Sequence, residues 1–135
     1  MNRKNDQILI VDDDPMIQKT VEIMLEEMGY EIISANGGNE CLDALHKGFR
    51  GLVLMDVMMP AMDGWKTIVQ IAEQGLLQGN AICMLTAVLD PDEEMHNLAQ
   101  YIWDYVRKPC QQEELIDVVE NAMEMLNANR TVQHC

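Results

Sequence analysis

Residues 8–15 read Ile8-Leu9-Ile10-Val11-Asp12-Asp13-Asp14-Pro15. Four β-prone apolar residues run without a break and stop on three aspartates. An unbroken apolar run describes a strand buried on both faces, whereas an alternating one describes a strand with one wet face. Asp14 is placed to cap a helix that Pro15 opens, because a proline at the first helical position sacrifices no hydrogen bond. Met16, Ile17, Val21, Met24, Leu25 and Met28 then recur at the helical period, and Gly29 ends the pattern. The unit is a buried strand, an acidic junction and an amphipathic helix.

The same unit recurs along the chain. Residues 31–35 form a strand, Asn36-Gly37-Gly38 a turn, and about 39–47 a helix with Cys41, Leu42 and Leu45 on its apolar side. Leu52-Val53-Leu54-Met55 is a third strand, ended by Asp56. Residues 57–63, with Pro60, form a loop before a helix over 65–74, and Asp63-Gly64 reads as a turn and helix start. Residues 81–85 are the fourth strand, followed by Thr86. Asp90-Pro91 opens a fourth helix to about Gln100. Residues 104–106 form a short fifth strand, followed by Arg107-Lys108-Pro109. The last helix spans 112 to about 127, with a frayed tail beyond. Five strand–helix units of this kind predict an α/β fold, a doubly wound five-stranded parallel sheet with right-handed crossovers.

Composition agrees. The 135 residues are 48% apolar and 24% charged, as in a globular domain. They divide into an N-terminal extension (1–6), one domain (7–127) and a C-terminal tail (128–135). No apolar stretch approaches the ~20 residues that span a bilayer, and no secretory signal is visible. Nine basic against 23 acidic residues give a net charge of −14. That balance repels nucleic-acid phosphates and suits a cation or a basic partner surface. Cys41, Cys83, Cys110 and Cys135 form no CxxC pair and read as free thiols of a reducing, cytoplasmic compartment.

In doubly wound sheets the functional site lies at the carboxyl ends of the strands. Strand one delivers Asp12, Asp13 and Asp14 there, strand three Asp56, strand four Thr86 and strand five Lys108. With strand order 2-1-3-4-5, carboxylates, a hydroxyl and an ammonium meet in one crevice. Clustered carboxylates repel each other when empty and suit Mg²⁺, a hard cation that prefers oxygen ligands. Carboxylate, cation, lysine and hydroxyl together make a phosphoryl-transfer arrangement, with aspartate as a nucleophile. Asp14 is read as a helix cap and not as a ligand.

These pieces resemble the receiver domain of two-component response regulators, in a stand-alone, chemotaxis-regulator-like form. ILIVDDDP at 8–15, LVLMDVMMPAMDG at 52–64, MLTA at 84–87 and DYVRKP at 104–109 carry the resemblance, in the family's order and spacing across residues 7–127. It implies a flavodoxin-like (βα)5 fold and the following roles. Asp56 is the phosphoacceptor. Asp13 binds Mg²⁺ directly, Asp12 mainly through water, and the Met58 carbonyl completes the protein ligands. Lys108 pairs with phosphoryl oxygens, Thr86 hydrogen-bonds them and moves, and Tyr105 is the aromatic switch. Ala87 leaves room for phosphate access, and the bond before Pro109 is cis. Met58, Met59 and Met62 rim the acids, and a bulky Met58 side chain slows water attack on the phosphoryl group.

The implied function is signalling and not enzymatic turnover. A histidine kinase or histidine phosphotransfer domain donates the phosphoryl group, and the signal leaves through contact with a downstream protein. Two departures stand out. Gly51 and Cys110 replace residues that are often Asp and Phe. The Gly-Ala pair usual before strand five is replaced within Tyr101-Ile102-Trp103, which predicts an altered junction and an apolar patch for a homodimer through the helix 4–strand 5–helix 5 face. Rival readings fare worse. A haloacid-dehalogenase-like phosphatase needs a second Asp where Met58 stands, and an FMN carrier would not place three aspartates at its phosphate loop. A receiver-like interaction module independent of phosphorylation is the remaining alternative.

Overall fold

Each of the five apolar runs forms a strand in the computed structural model, which describes residues 7–86, 97–108 and 111–133, with side chains through Ala128. The strands are β1 (Gln7–Val11), β2 (Glu31–Ala35), β3 (Leu52–Asp56), β4 (Ala81–Thr86) and β5 (Asp104–Arg107). The helices are α1 (Pro15–Glu26), α2 (Gly38–His46), α3 (Gly64–Glu73) and a C-terminal helix (Gln112–Gln133). All pairings are parallel and the order is β2-β1-β3-β4-β5, as the sequence predicts.

The unbroken runs serve two cores at once. Successive Cβ atoms on a strand point to opposite faces. Leu9, Val11, Val53, Met55, Ile82 and Met84 therefore face α2 and α3, where Cys41, Leu45, Ile68 and Ile71 meet them. Ile8, Ile10, Leu52, Leu54, Cys83 and Leu85 face α1 and the C-terminal helix, against Val21, Leu25, Leu115 and Val119. Burying one such side chain contributes roughly 1.5–3 kcal/mol, so both helical layers are held by the same five short segments.

The predicted helix starts at Asp14-Pro15 and Asp63-Gly64 hold. The Asp14 carboxylate accepts the Met16 N–H at 2.9 Å, and Pro15 occupies the first turn of α1. Asp63 likewise accepts the Lys66 N–H at 2.9 Å at the start of α3. The C-terminal helix outlasts its expected end and runs to Gln133. Leu126 ends the buried face, but neither glycine nor proline follows to stop the helix.

The start of the expected fourth helix, at Asp90-Pro91, lies outside the described residues. Its end becomes a 3-10 turn at Ala99–Tyr101, after which Ile102 is extended (φ −111°, ψ 128°). The Trp103 N–H then bonds the Ile82 carbonyl at 2.7 Å, catching β4 directly. The junction is thus remade without a left-handed residue. The expected three-residue apolar patch is corrected here. Tyr101 and Ile102 turn inward against the α2–α3 core, and Trp103 alone among the three remains 42% exposed.

Gly51 is explained by contact. A Cβ there would collide with the Gln7 carbonyl oxygen, so an aspartate does not fit. Cys41 and Cys83 are buried thiols outside any disulfide, and burial pushes the Cys41 thiol up to about 12. Cys110 and Cys135 lie outside the described residues. Among the described residues, no helix is long and apolar enough to cross a membrane.

Candidate functional site

The register brings the strand ends level. Val11 lies opposite Met55, Asp56 opposite Leu85, and Thr86 opposite Arg107. The next residue of β1 is Asp12 and the next of β5 is Lys108. The Lys108 N–H reaches back to the Thr86 carbonyl at 2.8 Å, which ties the two strand ends together.

Asp12 is wholly buried and Asp56 nearly so, whereas Asp13 is exposed. Asp12 Oδ1 accepts the Asp14 N–H at 2.9 Å. Asp56 Oδ1 accepts the Met58 N–H at 3.2 Å. The Lys108 ammonium lies 3.0 Å from Asp56 Oδ1 and 3.4 Å from Asp12 Oδ2. Asp12, Asp13 and Asp56 each offer one oxygen, and these atoms lie within 4.8 Å of one another.

The electrostatics follow from that count of charges. Burial raises the Asp12 carboxyl above its ordinary value, with Asp56 adding to the rise while the Asp14 N–H and Lys108 oppose it. For Lys108, burial pulls downward, but the hydrogen bond and charge of Asp56, joined by Asp12, outweigh it and hold the ammonium above the ordinary lysine range. Lys108 thus pairs with two of the three clustered carboxylates. A set made only of hard oxygen donors, with neither sulfur nor imidazole, suits a divalent cation of the Mg²⁺ type.

Of the other expected residues, Thr86 is buried at the end of β4. Tyr105 is half-buried and packs against the α2–α3 core. Ala87 and Pro109 lie outside the described residues. The expected methionine rim is corrected: Met58 is 71% exposed, but Met59 is buried in the core and Met62 packs against that core. The bend that places α3 depends on Gly64, whose N–H bonds the Val57 carbonyl at 2.9 Å.

One participant escaped the sequence reading. Gln18 on α1 is buried, and its amide reaches the carbonyl of Asp12. The signal was a polar residue in register with Val21 and Leu25, the buried stripe of its helix.

Comparison with known proteins gives a consistent set of likenesses. A family model for the response regulator receiver domain matches residues 8–120. The crystal structure of a CheY-like response regulator receiver domain protein from Methanospirillum hungatei superposes with a TM-score of 0.86 at 44% identity, covering 92% of this chain and 98% of that one. Chemotaxis protein CheY4 of Vibrio cholerae gives 0.79 at 27% identity over 87% of this chain and 98% of that one. A probable transcriptional regulator, ycf27 of Galdieria sulphuraria, is 36% identical over 113 residues, which are 84% of this chain and 43% of that protein. The chain spans about half the length of the curated relatives it matches.

Proposed function

The chain belongs to the response regulator receiver family, and from that premise we propose that it takes a phosphoryl group onto Asp56. The donor is a phosphohistidine of a histidine kinase or histidine phosphotransfer domain. The P–N bond to the histidine breaks and a P–O bond to the Asp56 carboxylate forms. The observation that carries this reading is the Lys108 ammonium set between Asp56 and Asp12, at 3.0 and 3.4 Å, beside three converging carboxylates.

Each residue then has a task. Asp56 supplies the attacking oxygen at a strand end, where the backbone holds it still. Lys108 offsets negative charge on the transferring group. Asp12, Asp13, Asp56 and the Met58 carbonyl would hold Mg²⁺, which when bound neutralises phosphoryl oxygens. Thr86 donates its hydroxyl to the phosphoryl group, and Tyr105 follows it inward. Differential contacts to the phosphorylated state bias this pair between two arrangements. The output is a change of protein contacts, either with a downstream partner or within a longer protein, and the acidic surface disfavours nucleic acid as the direct target.

Intact-protein mass spectrometry after incubation with acetyl phosphate tests the reading. We expect a Mg²⁺-dependent gain of one phosphoryl group that Asp56→Asn abolishes. Absence of that gain, together with no response of Trp65 or Trp103 fluorescence to beryllofluoride, would leave a phosphorylation-independent interaction module on the same fold.

A further inference from the structure

The buried amide of Gln18 makes three contacts at the foot of the acid cluster. Its Nε2 lies 2.5 Å from the Asp12 carbonyl oxygen, 2.9 Å from the Ala35 carbonyl and 3.1 Å from Asn36 Oδ1. The Ala35 carbonyl also accepts the Asp12 N–H at 3.1 Å. The Asp12 backbone is therefore held through both its polar groups, by the end of β2 on one side and by α1 on the other. An amide NH₂ has only two hydrogens, so the three acceptors share them and the amide has no freedom to turn away.

The Asp12 carbonyl belongs to the peptide that joins Asp12 to Asp13. That unit is planar, so holding its oxygen fixes the plane from which Asp13 departs. Asp13 is exposed while Asp12 is buried, so the aim of Asp13 depends on the backbone that carries it. Gln18 touches none of the three carboxylates through its amide. It acts on them only through that shared peptide.

We propose that Gln18 is a positioning residue for the divalent-cation site, setting the Asp12–Asp13 peptide so that both carboxylates address one ion. This rests on the cation site proposed above. Residues that orient ligands without touching the metal commonly change affinity 10–100-fold when altered. Gln18→Met keeps the length and removes the donors; Gln18→Lys keeps a donor on a long arm.

The test is calorimetric titration of the full chain with MgCl₂, alongside urea unfolding in EDTA. We expect Gln18→Met to raise the Mg²⁺ Kd about tenfold, and Gln18→Lys to recover most of that loss. Should Gln18→Met fail to fold, Gln18→Asn, which withdraws the amide by one methylene, is expected to show the same weakening. A folded Gln18→Met or Gln18→Asn that binds Mg²⁺ like the wild type, losing only stability, would overturn the proposal and leave Gln18 a core hydrogen-bond donor. A wild type without saturable Mg²⁺ binding would instead overturn the cation site itself, and this inference with it.

Discussion

Asp12 gives up all its solvent at the end of β1 and receives in return one N–H, from Asp14, and an ammonium 3.4 Å away. That exchange is poor for a carboxylate, and its pKa is raised above the ordinary 3.8. A carboxyl whose folded pKa exceeds its unfolded one favours folding below the unfolded value. Stability is then lost as pH rises through the window up to the folded value. We therefore expect Asp12→Asn to stabilise the cation-free protein at neutral pH, with the gain disappearing below pH 3.8. Urea unfolding in EDTA at the two pH values checks this; a variant no more stable than wild type at neutral pH would contradict it. Lys108 has the same sign in a more alkaline window. Its raised pKa means stability present below 10.5 and lost as pH climbs through the folded value. At this scale the acids and the lysine were legible, since each follows a strand. Gln18 was not, because a glutamine in a helix looks like any solvated side chain until tertiary packing turns it inward.

The junction from β3 to α3 leaves no room for a side chain at Gly64. A Cβ on Gly64 would stand 2.7 Å from the Asp56 carbonyl, 2.8 Å from Met84 Cε and 3.0 Å from Val57 Cα. Two of those atoms are backbone at the end of the strand that presents Asp56, so the strand end must shift. We expect Gly64→Ala to cost about 1–3 kcal/mol in urea unfolding and to weaken Mg²⁺ binding as Asp56 moves. Gly37→Ala is the control: its φ is extended at 179° and nothing lies within 4 Å, so a change near 0.5 kcal/mol or less is expected. Equal costs for both would remove the close approach as the cause. Helix starts were legible because Asp14-Pro15 and Asp63-Gly64 are local signals. Helix ends were less so. The apolar face of the C-terminal helix ends near 127, although the helix itself continues to Gln133.

Across the whole molecule the net charge is −14, and among the described residues three carboxylates cluster at the strand ends, two of them paired with the Lys108 ammonium. A ligand that binds only the folded state stabilises it by about 2.7 kcal/mol at one hundred times its Kd. Mg²⁺ should accordingly raise the melting temperature by several degrees, and Asp13→Asn should lose most of that rise. NaCl at matched ionic strength separates the site from general screening. An equal rise with NaCl, or in the variant, would assign the effect to screening of the acidic surface.

Strand identity, parallel order and the place of the site were determined by the sequence alone. An apolar run of four or five residues can be buried on both faces in few other ways, Asp12, Asp56 and Thr86 each stand directly beyond one, and Lys108 follows the short β5. The tertiary structure decided matters of proximity between distant segments. It turned Tyr101 and Ile102 inward and left Trp103 out, sank Met59 into the core, and closed the Gln18 amide on the Asp12 backbone. Those outcomes depend on which atoms the sheet brings within a few ångströms. Burial and hydrogen-bond energies fall off over that same distance, and no periodicity along the chain encodes it.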